Sequence, residues 1–485
     1  MPDIAFRSAL ELAVAIRNRE MSSRELLEHY LARIEQHNPK INAVVTLDVE
    51  RAVQQADAAD AALARGESLG PLHGLPITIK DTIETEGVRT TAGAPLHADH
   101  VPTRDAIAVA RLKAAGAIVV GKTNTPVFAM DLQTYNPIFG TTNNPWDITR
   151  SPGGSSGGSA AALAAGLTGL ELGSDIGGSI RNPAHYCGVY GHKPTYDVIP
   201  FRGHIPGPPG SLTGADIAVL GPLARGPKDL SLTLSILAGP DPDDGRAWRL
   251  ELPSPRHGAL RKYRVAAWLD DLACPVDAEV RAPLEAVVAA LREEKVQVHE
   301  QARPDLQFAD ALRTYCKLLW GATSPGLPRD QIEELAKAAE QMPPEADGHW
   351  DHFVRASSQR HCDWLVANEV RAQYRARWAE FFRNYDVLLC PITPTAAIRH
   401  DHSESMMART IQVNGQTRSY LDGIAWAGVI GMAYLPVTMA PVGKTSQGLP
   451  VGVQIVGPYL EDRTTIDFAR RLAEVIGGFE APSGY

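Results

Sequence analysis

Six serines stand in one glycine-rich stretch, and their hydroxyl groups are the first candidates for chemistry. The stretch covers residues 151–181 and reads SPGGSSGGSAAALAAGLTGLELGSDIGGSIR. Ser155, Ser159 and Ser179 each follow a pair of glycines. A serine hydroxyl is a weak nucleophile that needs a base beside it, and the stretch contains no histidine. A lysine is the next candidate, provided that burial lowers its pKa.

Lys80 is the lysine whose setting fits this requirement. It ends the apolar run Leu75-Pro-Ile-Thr-Ile79, whose alternation predicts a strand. A buried strand end would desolvate the ammonium group and favour the neutral amine. An equally weighted interpretation is a lysine that reaches solvent from the strand end or pairs with Asp81.

The segment Asp175-Ile-Gly-Gly-Ser179 predicts a tight turn at the start of a helix. Successive backbone N–H groups in such a turn form a positive concavity, which suits a tetrahedral oxyanion. Ser179 stands at its end and could attack a carbonyl held there. The alternative is a glycine turn that serves close packing alone.

Other motifs in the chain are weaker candidates. GGSSG at 153–157 fits the GxSxG nucleophile elbow, but a proline-containing loop precedes it instead of a strand. GAIVVGKT at 116–123 fits the phosphate-loop pattern, but its middle residues are themselves a predicted strand. The pairs HADH at 97–100 and HDH at 400–402 lack metal-ligand spacing. We therefore predict no metal and no cofactor.

Four motifs, taken in order, resemble the amidase signature family. They are GLPITIKD around Lys80, GKTN at 121–124, PGGSSGGSAAALAAG, and GSDIGGSIR. Lys80 and Ser155 are 75 residues apart, and Ser155 and Ser179 are 24 apart. The resemblance is strong over about 20–240 and resumes more loosely over about 385–485.

The resemblance implies a catalytic triad of the Ser–cisSer–Lys type, which hydrolyses or transfers the acyl groups of amides. Ser179 would be the nucleophile, Ser155 the bridging serine in a cis Gly154–Ser155 peptide, and Lys80 the base. The implied oxyanion hole consists of the backbone N–H groups of Ile176, Gly177, Gly178 and Ser179. The implied supporting residues are Asp175, Arg181, Ser156 and Gly154.

The fold class expected from the interleaved strand and helix patterns is α/β. The resemblance implies one α/β/α domain over 1–485, with a mixed, twisted central sheet covered by helices. We expect N-terminal helices over 1–65 and a signature core over 66–240. A variable, mostly helical segment would cover 241–385, and the chain would return to the sheet over 386–485. Ser22 and Glu25 predict a capping box for a helix that Pro39 ends.

The substrate pocket is expected between segments that carry aromatic and apolar side chains and few charges. Its predicted walls include the 199–215 loop, and the candidate residues are Met130, Asp131, Phe139 and Trp426. This composition favours a small apolar or aryl amide. Esters and carbamates stay open, because the same attack serves each.

Composition limits the partners and the location. A net charge of −9 disfavours a nucleic-acid partner. The lack of a long apolar run and of a signal segment favours a cytoplasmic protein without membrane contact. We expect a monomer or homodimer that acts on a small-molecule amide.

Two alternatives remain. One is a protein like the glutamine-dependent amidotransferase subunit that uses ammonia from glutamine to amidate a charged tRNA. KTNTPVF at 122–128 departs from the GKTNMDEFAMG-like run associated with such subunits. The other is an inactive binding or scaffold homologue.

Overall fold

A computed structural model describes residues 4–205, 211–403 and 405–485. Helices and strands interleave along the whole of this part of the chain. The helices are α1 Ala9–Arg17, α2 Ser23–Ile41, α3 Val49–Ala64, α4 Ile107–Ala114, α5 Gly157–Ala164, α6 Arg181–Cys187, α7 Pro227–Leu237, α8 Ala278–Glu293, α9 Phe308–Thr323, α10 Arg329–Gln341, α11 His349–Ser357, α12 His361–Asn384, α13 Ala425–Gly431 and α14 Asp462–Ile476. The strands are β1 Val44–Leu47, β2 Pro76–Lys80, β3 Ile118–Thr123, β4 Tyr135–Asn136, β5 Gly140–Thr141, β6 Glu171–Asp175, β7 Tyr190–Lys193, β8 Val219–Ala224, β9 Arg264–Ala267, β10 Gln297–His299, β11 Val387–Cys390, β12 Thr410–Val413, β13 Gln416–Ser419, β14 Val437–Lys444 and β15 Pro450–Val456.

Eleven of these strands form one mixed sheet. Their order is β1-β3-β2-β6-β8-β7-β14-β15-β11-β9-β10. The pairs β2–β3, β2–β6, β9–β10 and β9–β11 are parallel, and the other pairs are antiparallel. The sheet and its covering helices make a single α/β domain, which confirms the expected fold class.

Strands β2 and β6 lie side by side near the middle of one half of the sheet, and every residue in them is buried. Parallel strands covered on both faces bury their polar side chains together with the apolar ones. Lys80 and Thr78 alternate with Ile77 and Ile79 along β2, so they need partners inside the protein. The sequence predicts Lys80 as a base only if it is buried, because burial is what lowers the pKa of its amine. The structure meets this condition.

The N-terminal helices follow the prediction with one correction. Glu25 N donates to Ser22 Oγ at 3.0 Å and Ser22 N donates to Glu25 Oε2 at 2.7 Å, so the capping box is confirmed. Helix α2 continues through Pro39, and its C-terminal cap is Asn42 with a left-handed φ of 55°. The expected stop at Pro39 was wrong, because this proline falls in the last turn, which the Asn42 N–H closes onto the Asn38 carbonyl.

The 241–385 segment is more than a helical insert. It supplies α8 to α12 and also β9 and β10, which join the edge of the main sheet beside β11. Strand β9, helix α8 and strand β10 follow one another in this segment, and β9 pairs with β10 in parallel. Over the described ranges, no helix combines the length and the apolar character needed to cross a bilayer.

Candidate active site

Lys80 lies at the carboxyl end of β2 and points its amine at two serines. Lys80 Nζ is 2.6 Å from Ser155 Oγ and 3.0 Å from Ser174 Oγ. All three side chains are buried. The alternative pairing with Asp81 is absent, since the Asp81 carboxylate accepts from the backbone N–H and the hydroxyl of Thr91 instead. The lysine therefore meets hydroxyl groups that could carry its proton.

Ser155 is held by a loop whose glycines permit close packing. The Gly154–Ser155 peptide is cis. A Cβ on Gly154 would lie 2.6 Å from the Asp131 carbonyl oxygen, so no larger residue fits there. The next residue joins the loop to the second serine, because Ser156 N donates to the Ser179 carbonyl at 3.1 Å. Ser156 Oγ also bonds the Ser174 carbonyl at 3.3 Å.

The turn that carries Ser179 is built around the Asp175 carboxylate. Asp175 Oδ1 accepts from Gly178 N at 2.9 Å, and Oδ2 accepts from Ile180 N at 3.0 Å. Arg181 donates to both oxygens, from Nη2 at 2.7 Å and from Nε at 3.0 Å. The other terminal nitrogen of Arg181 donates to the Ala427 carbonyl at 2.9 Å. Asp175 and Arg181 thus fasten the turn to itself and to α13.

Burial and neighbouring charges shift the pKa values of Lys80 and Asp175, so that the two side chains differ in protonation near neutral pH. Burial lowers the pKa of Lys80 to about 7, against the opposing charges of Asp175 and Glu171. Burial alone would raise the pKa of Asp175, but the charge and hydrogen bonds of Arg181 hold it at about 2. Near neutral pH, Lys80 is consequently neutral in a large fraction of molecules while Asp175 stays ionised.

The predicted oxyanion hole needs one correction. The N–H of Gly178 is engaged by the Asp175 carboxylate and belongs to the internal bonding of the turn. Gly178 has a φ of 106°, which a residue with a side chain rarely adopts. The N–H groups of Ile176, Gly177 and Ser179 are left as the candidate donors to an oxyanion.

A cavity of about 670 Å³ opens over the serines. Its polar lining includes Ser155, Ser174, Ser179 and His204. The apolar lining is formed mainly by Leu96, Phe128, Met130, Ile176, Phe201 and Leu327. Among the described lining residues there is no lysine or arginine, and Asp175, already paired, is the sole carboxylate.

The four predicted pocket residues divide into one that lines this cavity and three that lie elsewhere. Met130 is part of the lining. Asp131 accepts from Arg409 at 2.7 Å and from the hydroxyl of Tyr420, so it belongs to a structural network. Phe139 packs under the Arg89 guanidinium. Trp426 is buried in the core, where its indole donates to the Cys274 carbonyl at 3.0 Å.

Part of the predicted 199–215 wall lines the cavity. Phe201, His204, Ile205 and Ala215 line the cavity, and residues 206–210 lie outside the described residues. The sequence does not single out His204, because nothing in GHIPGPPG distinguishes it from an ordinary loop histidine. Nor does it predict that Tyr315 donates its hydroxyl to the Ile176 carbonyl at 3.2 Å and so supports the turn from α9.

The weaker motifs have structural explanations. Lys122 of the phosphate-loop pattern is buried within β3, and its amine donates to the Ile83 carbonyl and to Thr85 Oγ1. No strand enters the GGSSG loop, as a nucleophile elbow would require; residues 146–154 form no regular element.

Comparison with known proteins gives the class of this chain. The family model described as Amidase matches residues 25–466, and the chain belongs to that family, with the amidase signature.

Three proteins are similar to this chain over nearly its whole length. The A subunit of the curated glutamyl-tRNA(Gln) amidotransferase of Moorella thermoacetica is 35% identical over 486 residues, with 96% of each chain covered. One solved structure belongs to an inhibitor-bound vestigial complex described as revealing the origins of an s-triazine catabolic enzyme. It shares 31% identity at a TM-score of 0.81, over 98% of this chain and 100% of that one. A substrate complex of 6-aminohexanoate cyclic dimer hydrolase shares 25% identity at a TM-score of 0.79, over 99% of each chain.

Proposed function

We propose that the protein hydrolyses the carbon–nitrogen bond of a small amide with an apolar or aromatic group, using Ser179, Ser155 and Lys80. One observation carries the proposal: Lys80 Nζ lies 2.6 Å from Ser155 Oγ beneath a cavity that Ser155 and Ser179 both line. A buried amine within hydrogen-bonding reach of a serine is the arrangement that general-base activation requires.

The reaction follows from the order of these groups. Neutral Lys80 takes the proton of Ser155, and Ser155 takes that of Ser179 as Ser179 Oγ bonds to the amide carbon. The carbon–nitrogen bond then breaks, and the proton returns along the same path to the leaving amine. Water attacks the acyl-serine ester by the same relay, releasing the carboxylic acid and restoring the Ser179 hydroxyl.

The oxyanion of each tetrahedral intermediate would lie against the turn. Backbone N–H groups held in advance stabilise the developing charge without reorganising. Ile176, Gly177 and Ser179 supply the candidate donors, and the Asp175–Arg181 pair keeps the turn in place.

The cavity lining supports an apolar substrate. Leu96, Phe128, Met130 and Leu327 offer apolar surface near the serines, and the described lining has no lysine or arginine to pair with a substrate carboxylate. Aryl amides fit this chemistry, and esters or carbamates of the same shape would undergo the same attack.

A second candidate is a glutamine-using amidotransferase subunit, and the sequence comparisons favour it over simple hydrolysis. The relative at 35% identity carries that name and aligns over 96% of both chains. Such a subunit would bind free glutamine, whose ammonium and carboxylate groups need charged partners. The described cavity lining has no lysine or arginine for that carboxylate, which is why we place hydrolysis of an apolar amide first.

A substrate panel separates the two. Purified protein is assayed with apolar p-nitroanilides, anilides, primary amides, aryl carbamates and L-glutamine. We expect turnover of an apolar amide with little glutaminase activity, and loss of that turnover in Ser179→Ala. Ser231→Ala, at an exposed serine of α7, is the matched control.

The panel has two adverse outcomes. Glutaminase activity that rises when partner chains co-purify would support the amidotransferase instead. Full activity in Ser179→Ala with loss in Ser155→Ala would contradict the assignment of the nucleophile.

A pH profile tests the base. Since Lys80 must be neutral to accept a proton and burial lowers its pKa to about 7, kcat/KM should rise with pH through about 7. Activity that stays flat down to pH ~5 would exclude a lysine of this kind as the base.

A further inference from the structure

A loop histidine is linked to Lys80 through Ser174, a hydroxyl other than the one that the proposed relay uses. His204 Nε2 is 2.8 Å from Ser174 Oγ and 3.1 Å from Thr82 Oγ1. Ser174 Oγ in turn lies 3.0 Å from Lys80 Nζ. A chain of hydrogen bonds thus runs from the imidazole through a hydroxyl to the amine.

The loop is fastened to the residues that follow Lys80. Ile205 N donates to the Thr82 carbonyl at 2.6 Å, and Glu84 N donates to the Gly203 carbonyl at 2.8 Å. A Cβ on Gly203 would lie 2.6 Å from Ala106, so the backbone approaches closely there. His204 is therefore placed by backbone bonds on both sides of it, independently of any substrate.

The numbers of donors and lone pairs on Lys80, Ser174 and His204 limit how these three groups can hydrogen-bond to one another. A neutral lysine amine has two N–H donors and one lone pair, and a serine hydroxyl can donate one hydrogen bond while accepting others. If Ser174 donated its hydrogen to the Lys80 lone pair, that lone pair could not take the proton of Ser155. If Ser174 donates to His204, Ser174 accepts from Lys80 and the lone pair remains for Ser155.

We propose that His204 is a positioning residue: its Nε2 accepts the Ser174 hydroxyl, which makes Ser174 an acceptor for Lys80 and turns the lysine lone pair toward Ser155. This rests on the proposed function, in which Lys80 is the base. Burial and the charge of Lys80 keep the pKa of His204 well below its usual value, so the ring is neutral and has an acceptor nitrogen.

The contribution is greatest when Lys80 has gained its proton. Ser174 is then polarised by His204 and is a stronger acceptor for the ammonium group. An interaction that strengthens only as the proton moves raises kcat and leaves KM nearly unchanged.

Few charged groups of the described residues face Lys80, Ser174 and His204. Asp175 and Glu171 of β6 act on Lys80, and His204 faces it from the loop. Lys122 of the neighbouring β3 turns its amine to Ile83 and Thr85. Removing the imidazole therefore takes away an acceptor that favours the ammonium form of Lys80, and the acidic limb of activity should move to lower pH while its plateau falls.

The test compares His204→Leu, which has no acceptor, with His204→Gln, whose amide oxygen can still accept from Ser174. The first readout is the rate at which an alkyl fluorophosphonate labels Ser179. In this labelling reaction the serine oxygen bonds to phosphorus and fluoride leaves. Hydrolysis of an apolar p-nitroanilide gives kcat and KM. Both are measured from pH ~5 to ~9, around the lysine pKa.

We expect His204→Leu to lose about ten- to a hundredfold in labelling rate and kcat, with the acidic midpoint displaced to lower pH. His204→Gln should recover most of the rate. His299→Leu, at an exposed histidine of the edge strand β10, should leave the midpoint in place. Ser174→Ala should be slow too, and adding His204→Leu to it should cost less than about a further twofold.

Several results would overturn the proposal. These are equal losses in the leucine and glutamine variants with an unmoved midpoint, a rate within about twofold of the parent, or losses that multiply with Ser174→Ala. If His204→Leu does not fold, the glutamine variant and Ser174→Ala carry the comparison. Labelling that persists in Ser179→Ala would instead refute the proposed function, whatever the histidine variants do.

Discussion

Replacing Lys80 by methionine should abolish turnover and yet stabilise the folded protein below about pH 9. Burial lowers the pKa of Lys80 from its ordinary 10.5 to about 7. Between these values the unfolded chain binds a proton that the folded chain does not, so this lysine makes stability rise with pH. Below about 7 both states are protonated, and the full cost of burying the ammonium group is present.

The size of the effect follows from the two pKa values. One pKa unit corresponds to about 1.4 kcal/mol, so the difference between 10.5 and about 7 amounts to about 5 kcal/mol. Methionine removes that cost but leaves Ser155 without its partner, at about 2 kcal/mol for a buried hydroxyl. Lys80→Met should therefore be more stable than the parent by about 3 kcal/mol at pH 6 and less stable by about 2 kcal/mol above pH 10.5, with a crossover near pH 9.

The assay is urea denaturation of both proteins at several pH values between 6 and 10. Only the difference between variant and parent is used, because the buried lysines Lys122 and Lys193 are present in both and their pH dependence cancels. Lys337→Met, at an exposed position on α10, is the matched control and should show no such trend. A variant that is destabilised equally at pH 6 and pH 10 would refute the reasoning, since burial of the charge would then not be what lowers the pKa.

Two further substitutions test the turn. Asp175→Asn leaves the Arg181 guanidinium buried without its counterion and should cost about 3–5 kcal/mol in the free energy of unfolding; the double variant Asp175→Asn/Arg181→Met should recover part of this, and an additive loss would speak against the pairing. Gly178→Ala forces a side chain onto a φ of 106° with its Cβ 3.0 Å from that of Ala427, so kcat should fall by more than about tenfold. Gly258→Ala, whose Cβ would meet nothing within 4 Å, is the control, and equal activity in both would show that the turn tolerates another geometry.

What the sequence predicted well depends on local pattern. The strand ending at Lys80, the tight turn over 175–179, and the capping box at Ser22 each follow from neighbouring residues. The adjacency of Lys80 and Ser155 followed from a family resemblance and not from these patterns, because 75 residues separate the two side chains.

What the sequence did not predict depends on contacts between distant segments. His204 meets Ser174 because its loop forms an antiparallel bridge with Ile83, a pairing that no local periodicity encodes. Trp426 was expected in the pocket because its segment carries aromatic and apolar side chains and few charges, but its ring packs on Trp268 at 5.5 Å between centroids and belongs to the core. An apolar composition identifies a buried helix without telling which of its faces meets the cavity.

Burial alone does not identify a catalytic lysine in this fold, and the contrast among three lysines shows why. Lys80, Lys122 and Lys193 are all buried, and burial lowers the pKa of each. Lys193 donates to the Pro194 carbonyl, an acceptor with no proton to give. Lys122 donates to the Ile83 carbonyl and to Thr85, and neither residue is among those that line the cavity over the serines. Lys80 is bonded to two hydroxyls that both border that cavity, so the chemistry of the acceptors, more than the pKa, distinguishes the candidate base.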